Sequence, residues 1–339
     1  MTPPLRIAVL GAGSIGCYLG GRLAAAEAAR VTLIGRPAAM AQLGRDGLLL
    51  TDAHGERPVP PEAFVTSTSA SAAAPPDVVL VTVKSGATAA AARELAPHLK
   101  PGAVVVSFQN GLRNPAVLAA ELPKATVLAG MVPYNVLQTA PGRFHRGTGG
   151  VLMLADDPSA GPLLPAFAAA GLTVQPRADM PGVQAAKLLM NLNNAVNALS
   201  GLPLREQLGQ RAYRVCLARC QREALRALRA EGIEPARMSP VPPRLMPLLL
   251  RLPDAVFRRV AKQTLAVDAQ ARSSMWEDFQ RGRRTEIDAL QGEVVALASK
   301  HGLAAPANSR LAELVRDAES TTAPAPWSGP ALLSALSPR

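Results

Sequence analysis

Two sets of residues have types and spacings that could do chemistry: three glycines near the start of the chain, and one lysine among asparagines in its second half. Gly11-Ala12-Gly13-Ser14-Ile15-Gly16 is a G-x-G-x-x-G run after an apolar stretch, RIAVL, and before a helical one. In that setting the first glycine permits a tight turn. The second lets the backbone approach a pyrophosphate, and the third lets helix pack closely on strand. The helix that follows, expected over 17–26, would present free N–H groups and its positive dipole end to the phosphates, with Ser14 and Ile15 beside the glycines at the cofactor. The same stretch comes close to a hydrolase nucleophile elbow. However, the leading position is Ala12, and His54, His98, His145 and His301 show no pattern of a catalytic partner. A glycine-rich turn that binds nothing is the bland alternative.

The next strand indicates the cofactor. NAD-binding turns usually have an acid at its end to accept from the ribose 2′-hydroxyl. Here the strand ends Ile34-Gly35-Arg36. A guanidinium there pairs with a 2′-phosphate, so NADP(H) is expected, against the alternative of a solvated arginine.

The third feature is the segment 184–200, QAAKLLMNLNNAVNALS. At 100° per residue Lys187, Asn191 and Asn194 share one narrow arc, and Leu188, Leu192, Val196 and Leu199 occupy another. The polar face is one lysine and a ladder of amides. It suits a dry polar cleft or, equally, a buried hydrogen-bond ladder. A lone lysine in such surroundings meets the requirement for a proton donor, because desolvation lowers its pKa toward neutrality.

The elements that must position these groups are legible from periodicity. Apolar, β-branched runs at 6–10, 31–34, 77–83 and 103–108 read as buried parallel strands, with more at 126–131, 151–155 and 172–175. Helical segments separate them, so an α/β doubly wound, Rossmann-type sheet is expected over 1–180. Strand-like runs then stop, and an all-helical domain is expected over 181–320. The stretch 238–262 is broken by prolines and reads as an insertion, and 321–339, rich in Ala, Pro and Ser, reads as a mobile tail.

Composition removes other classes. The chain has 339 residues, 48% of them hydrophobic, enough for a sizeable core. Its net charge of +11 invites a nucleic-acid reading. Yet residues 1–180 are only +3, while 205–262 hold 13 bases against 5 acids. Aromatics are 3%, and no nucleic-acid-binding motif accompanies the charge. Arg211, Arg214, Arg219, Arg222, Arg226 and Arg229 fall on one helical arc, which reads as a solvated face or a subunit contact. Cys17, Cys216 and Cys220 are too few and too poorly placed for a disulfide scaffold or a zinc site, so no metal is expected. With no signal peptide and no apolar run near 20 residues, a cytoplasmic protein without a membrane partner is expected.

On these residues the chain resembles the ketopantoate reductase (2-dehydropantoate 2-reductase) family over residues 6–319. The resemblance rests on Gly11–Gly16, Val83-Lys84 closing a strand, Gln109-Asn110-Gly111 and Lys187-Leu188-Leu189-Met190-Asn191. Its most specific mark is Ser273-Ser274-Met275 followed by Thr285-Glu286-Ile287-Asp288. The resemblance implies reduction of a 2-keto acid by NADPH, most simply ketopantoate to pantoate in pantothenate and coenzyme A synthesis. It implies that Lys187 protonates the developing alkoxide and that Glu286 hydrogen-bonds the substrate hydroxyl. Asn110, Asn191 and Ser274 would hold substrate polar groups, Arg36 and Lys84 would lie along the cofactor, and Asn110 would also border it. One departure stands out. The family pattern has a further asparagine eight residues after the lysine, where this chain has Ala195, and Asn194 is expected to substitute. The alternatives are an NADP-dependent reductase of another 2-keto acid or an imine, and a nonenzymatic NADP-binding regulator. A homodimer is open. Taken singly, Ser274 with Glu277 fits a capping box, Thr285 fits a helix cap and Asn110 fits turn chemistry.

Overall fold

A computed structural model of the chain describes residues 4–72, 75–260, 271–321 and 324–337. Residues 261–262 of the expected insertion, and 322–323 and 338–339 of the expected tail, lie outside them. The chain divides into two compact units, Met1–Met180 and Pro181–Arg339.

The first unit begins with β1 (Arg6–Leu10), α1 (Ser14–Ala25), β2 (Arg30–Ile34) and α2 (Pro37–Asp46). A hairpin of β3 (Leu48–Asp52) and β4 (Gly55–Val59) leads to β5 (Phe64–Ser67) and β6 (Val78–Val81). Then come α3 (Thr88–Leu95), β7 (Val104–Ser107), α4 (Asn114–Glu121) and β8 (Thr126–Met131). The unit closes with β9 (Val136–Ala140), β10 (Arg143–Arg146), β11 (Leu152–Ala155), α5 (Leu163–Ala169) and β12 (Val174–Arg177). The main sheet has the order β12-β11-β8-β7-β6-β1-β2-β5, parallel from β5 to β8 and antiparallel where β11 meets β8.

β1 shows why its sequence is apolar throughout. Ile7 and Val9 join the core that holds α1, while Ala8 and Leu10 join the core on the opposite face with α3 and α4 residues such as Leu95 and Leu118. A strand covered on both faces has no polar alternation.

A second sheet, β4-β3-β10-β9, was not expected from the sequence. β4 is GERPV, exposed except at Val59, and β9 and β10 carry Gln, Thr, His and Arg around a Pro141-Gly142 turn. Such strands look like loops because partners distant in the chain specify them. β10, for instance, pairs in parallel with β3 about ninety residues earlier.

The second unit contains α6 (Met180–Asn191), α7 (Asn193–Ser200), α8 (Leu204–Gly209), α9 (Arg211–Ala230) and α10 (Met246–Leu250). It continues with α11 (Asp254–Val260), α12 (Ser274–Gln280), α13 (Ile287–Lys300), α14 (Pro306–Glu319) and α15 (Gly329–Ala335). Among the described residues no helix is long and apolar enough to cross a membrane.

Three features correct the sequence expectations. Segment 184–200 is two helices, interrupted at Leu192, rather than one. The arc of arginines on α9 is not uniformly solvated: Arg214 is 0% exposed, whereas Arg211, Arg222, Arg226 and Arg229 are exposed. The expected tail is also built into the fold. Leu332 of α15 is fully buried, the Trp327 carbonyl accepts from the Tyr213 hydroxyl at 2.7 Å, and Leu333 accepts from Arg219 at 3.2 Å. Apolar residues spaced within GPALLSA suffice for one short helix on α9, despite the flanking Ala, Pro and Ser.

α14 shows how α9 serves the rest of this unit. Its N-cap residue is Ala305, which has no side-chain acceptor to offer. The buried Glu223 of α9 supplies one instead. Its carboxylate accepts from the Ala307 and Asn308 amides at 2.9 and 3.0 Å and from Asn308 Nδ2 at 2.8 Å. Glu223→Ala leaves the Ala307 and Asn308 amides buried and without this acceptor, while Asn308 Nδ2 keeps the Cys220 carbonyl at 3.1 Å. We expect it to lower unfolding stability by about 2–3 kcal/mol in urea titrations, and an unchanged midpoint would refute this role.

Candidate functional site

In the first unit the candidate residues gather beyond the carboxyl ends of the parallel strands, where open α/β sheets bind ligands. The glycine-rich turn leaves β1 with Gly11 at φ 107°, and the Gly11 and Ala12 amides donate to Ile34 O at 3.0 and 2.9 Å. A side chain at Gly11 would drive into Val83 N at 2.5 Å. One at Gly16 would meet Gly11 O at 2.3 Å and Thr82 Oγ1 at 2.6 Å. Gly13 faces open space, with nothing within 4 Å of an added Cβ. That is the position where a phosphate needs bare backbone. The first turn of α1, with Ser14 and Ile15, has no acid and no side-chain cap from Gly13. An open glycine position followed by an uncapped helix N-terminus is what a dinucleotide pyrophosphate would need.

Arg36 lies two residues beyond β2 and is exposed, forming the N-cap of α2. Gly35 before it packs against Ala12, since an added Cβ would lie 2.9 Å from Ala12 Cβ. The arginine therefore stands beside the turn. The strand expected at 77–83 ends at Val81, so Lys84 lies in the following loop rather than on the strand. Asn110 lies three residues past β7, before Gly111 at φ 88°.

A buried polar network ties these two loops together. Gln109 Nε2 donates to Val83 O at 2.9 Å and to Thr88 Oγ1 at 2.7 Å, and Ser107 Oγ donates to Gln109 Oε1. Asn114 Nδ2 donates to Asn110 O at 2.6 Å and to Ser85 Oγ at 2.9 Å. The loop carrying Lys84 and the loop carrying Asn110 are thus held as one piece. The sequence reading quoted Gln109 but missed this role, and missed Thr82, whose hydroxyl donates to Gly11 O at 2.7 Å and braces the glycine turn. No local pattern marks residues whose partners are more than twenty positions away.

In the second unit Lys187 and Asn191 share a face of α6, four residues apart. Lys187 is half-buried, and loss of hydration pushes its ammonium down to about 8. Asn191 is buried and Asn194 half-buried, while Ala195 is fully buried in the core. Asn197, the other asparagine near the position of Ala195, is already committed. Its Nδ2 donates to Leu202 O, and its Oδ1 accepts from the Ser273 amide at 2.9 Å. The break at Leu192 is supported from neighbouring helices. Gln291 Nε2 donates to Leu192 O at 2.8 Å, and Gln221 Nε2 donates to Leu189 O at 3.0 Å. The amphipathic pattern of 184–200 gives no warning of either glutamine.

Ser273, not Ser274, is the N-cap of α12, accepting from Trp276 N at 3.2 Å. The expected capping box is therefore displaced by one residue, because the Ser273 hydroxyl and amide are fixed by Asn194 O and Asn197. Ser274 is exposed in the first turn, next to the start of α7. Glu286 is half-buried at the N-cap of α13, and the Thr285 hydroxyl accepts from Ile287 N. One turn further along α13 is Gln291, which reaches Leu192. Within this unit the fold thus brings the segments carrying Ser274 and Glu286 to the α6–α7 junction that carries Lys187, Asn191 and Asn194. The three cysteines are buried free thiols, with burial pushing Cys17 and Cys216 up to about 12.

Comparison with known proteins returns the same pattern over both units. The family model for ketopantoate reductase PanE/ApbA matches residues 7–158, and the model for its C-terminal domain matches residues 179–319. A 2-dehydropantoate 2-reductase from Halobacterium salinarum is 34% identical over 326 residues, covering 93% of this chain and 99% of that one. The crystal structure of a PanE/ApbA family ketopantoate reductase from Ralstonia eutropha has a TM-score of 0.80 at 31% identity, covering 93% and 99% of the two chains. D-mandelate dehydrogenase in complex with NADH and anilino(oxo)acetate has a TM-score of 0.77 over 93% and 99% of the chains. At 20% identity this is a likeness of fold.

Proposed function

The chain belongs to the ketopantoate reductase family and is an oxidoreductase, and from that premise we propose that it reduces a 2-keto acid to a 2-hydroxy acid with NADPH, ketopantoate first among candidates. The observation that carries this reading is Lys187, the one charged side chain of segment 184–200, desolvated until its ammonium titrates near 8.

Gly11, Gly13, Ser14, Ile15 and Gly16 would hold the cofactor pyrophosphate, with Arg36, Lys84 and Asn110 along the nucleotide. Bound there, NADPH supplies a hydride to the substrate carbonyl carbon. Negative charge then develops on the carbonyl oxygen, and Lys187 Nζ stabilises it as a cation and gives up its proton there. Glu286 accepts from the substrate hydroxyl and orients the lysine. Asn110, Asn191, Asn194 and Ser274 hold the remaining polar groups of the keto acid. The setting is the cytoplasm, which suits three free thiols.

The test is NADPH oxidation by the purified protein across a panel of 2-keto acids. Ketopantoate is expected to give the highest kcat/KM. A higher value for another 2-keto acid would move the substrate to that alternative. Tight NADPH binding without turnover on any member of the panel would favour a regulator. Cofactor choice has its own test. Arg36→Ala is expected to lower kcat/KM for NADPH about tenfold, with little change for NADH, because a 2′-phosphate loses its charged fork. Equal loss with both cofactors would remove Arg36 from that role.

A further inference from the structure

The first unit holds a cavity of about 450 Å³ that none of the proposed cofactor or substrate residues lines. Its wall runs from the middle of α1, with Tyr18 and Arg22, across the β3–β4 hairpin to β10, β11 and the turn before β12. The volume falls within the range of small-ligand sites.

One side of it is fixed. Arg22, 9% exposed, donates from Nε and Nη2 to Ala170 O at 3.1 and 2.8 Å and from Nη1 to the Tyr18 hydroxyl at 3.1 Å, and it pairs with Asp52 at 3.3 Å. Asp52 also accepts from the Tyr18 hydroxyl and the His54 amide, so its charge is spent internally. Hydrogen bonding and the Arg22 charge hold its carboxyl below the usual range against the opposing effect of burial.

The opposite side has unspent donors. Arg146 lies over the Tyr134 ring at 4.7 Å and donates only from Nε, to Thr148 O, leaving its terminal N–H groups without an acceptor among the described residues. The exposed Arg57 side chain makes no hydrogen bond or ion pair among the described residues. Tyr134 is 4% exposed, yet its hydroxyl has no partner among the described residues. Glu56, the second carboxylate of the wall after Asp52, is exposed. Leu50, Leu152 and Leu172 lie beneath the wall and are buried. Two guanidiniums and a phenol match a small organic oxyanion: its charged end toward Arg57 and Arg146, its body on the side of Tyr134.

We propose that this cavity is a second ligand site, selective for a small organic anion of the carboxylate or phosphate class and separate from the dinucleotide turn. The proposal rests on the first unit alone and stands whether or not the reductase reading holds. The test is calorimetric titration of the full chain at low salt with benzoate and phenyl phosphate, with benzyl alcohol as the neutral control. Saturable binding of at least one anion at about 1 mM or tighter is expected, and which of the two binds assigns carboxylate or phosphate. It should persist with saturating NADPH and weaken at least tenfold in the Arg57→Ala/Arg146→Ala double variant, whose NADPH affinity and melting temperature stay unchanged. Tyr134→Phe should weaken it by a smaller factor. Absence of saturable binding, equal binding of benzyl alcohol, loss of binding with NADPH, or full affinity in the folded double variant would each overturn the site.

Discussion

Lys187→Ala is expected to lower kcat for keto-acid reduction by about 100-fold or more while leaving NADPH affinity essentially unchanged. Removing the ammonium leaves the developing alkoxide without its cation and without a proton source, whereas the glycine turn proposed to hold the phosphates belongs to the other unit. The pH profile gives the sharper readout. The proton donor must be charged, and the folded-state value is about 8, lowered by desolvation. Turnover in the reductive direction should therefore be flat below about pH 8 and fall about tenfold per unit above it. The residual activity of Lys187→Ala should lack that limb. A variant with near-normal kcat, or one that keeps the same alkaline fall, would exclude Lys187 as the acid.

The second large effect is on stability. Arg214→Ala should destabilise the protein by about 3–5 kcal/mol, enough to unfold a marginally stable chain near 37 °C. The guanidinium is fully buried and donates to Leu250, Leu208 and Leu252 carbonyls at 3.1, 2.9 and 2.7 Å. It pairs with Asp254 at 2.9 Å and lies 4.1 Å from the Phe257 ring centre. It therefore ties the proline-rich α10–α11 stretch and the end of α8 to α9. Lysine cannot replace three divergent donors, so Arg214→Lys should also fail, while the exposed Arg222→Ala should stay within about 0.5 kcal/mol of wild type. Equal unfolding midpoints for Arg214→Ala and Arg222→Ala would show that the burial carries no weight.

Arg214 also marks where sequence reading stops. Helical periodicity put it on the same arc as five other arginines, and that arc is real. Charge and spacing could not tell which member lies beneath the 243–260 segment, because that depends on a partner about forty residues away. α14 is similar: Ala305 gives no local cap, and the cap is Glu223, more than eighty residues earlier.

By itself the sequence determined the fold class, the glycine-rich turn after the first strand, the lysine–asparagine face and the family. Each of these is a local matter. A strand buried on both faces must be apolar at every position, a phosphate turn needs glycine where a Cβ would clash, and a helix shows its faces every 3.6 residues. Only the tertiary structure decided the second sheet, the break at Leu192 with its borrowed glutamine donors, the Ser273 cap, the packed C-terminal helix and the cavity beside α1. Those depend on buried polar groups finding partners far along the chain. The cost of leaving such a group unpaired selects the partner in space, and nothing in the spacing of neighbouring residues records the choice.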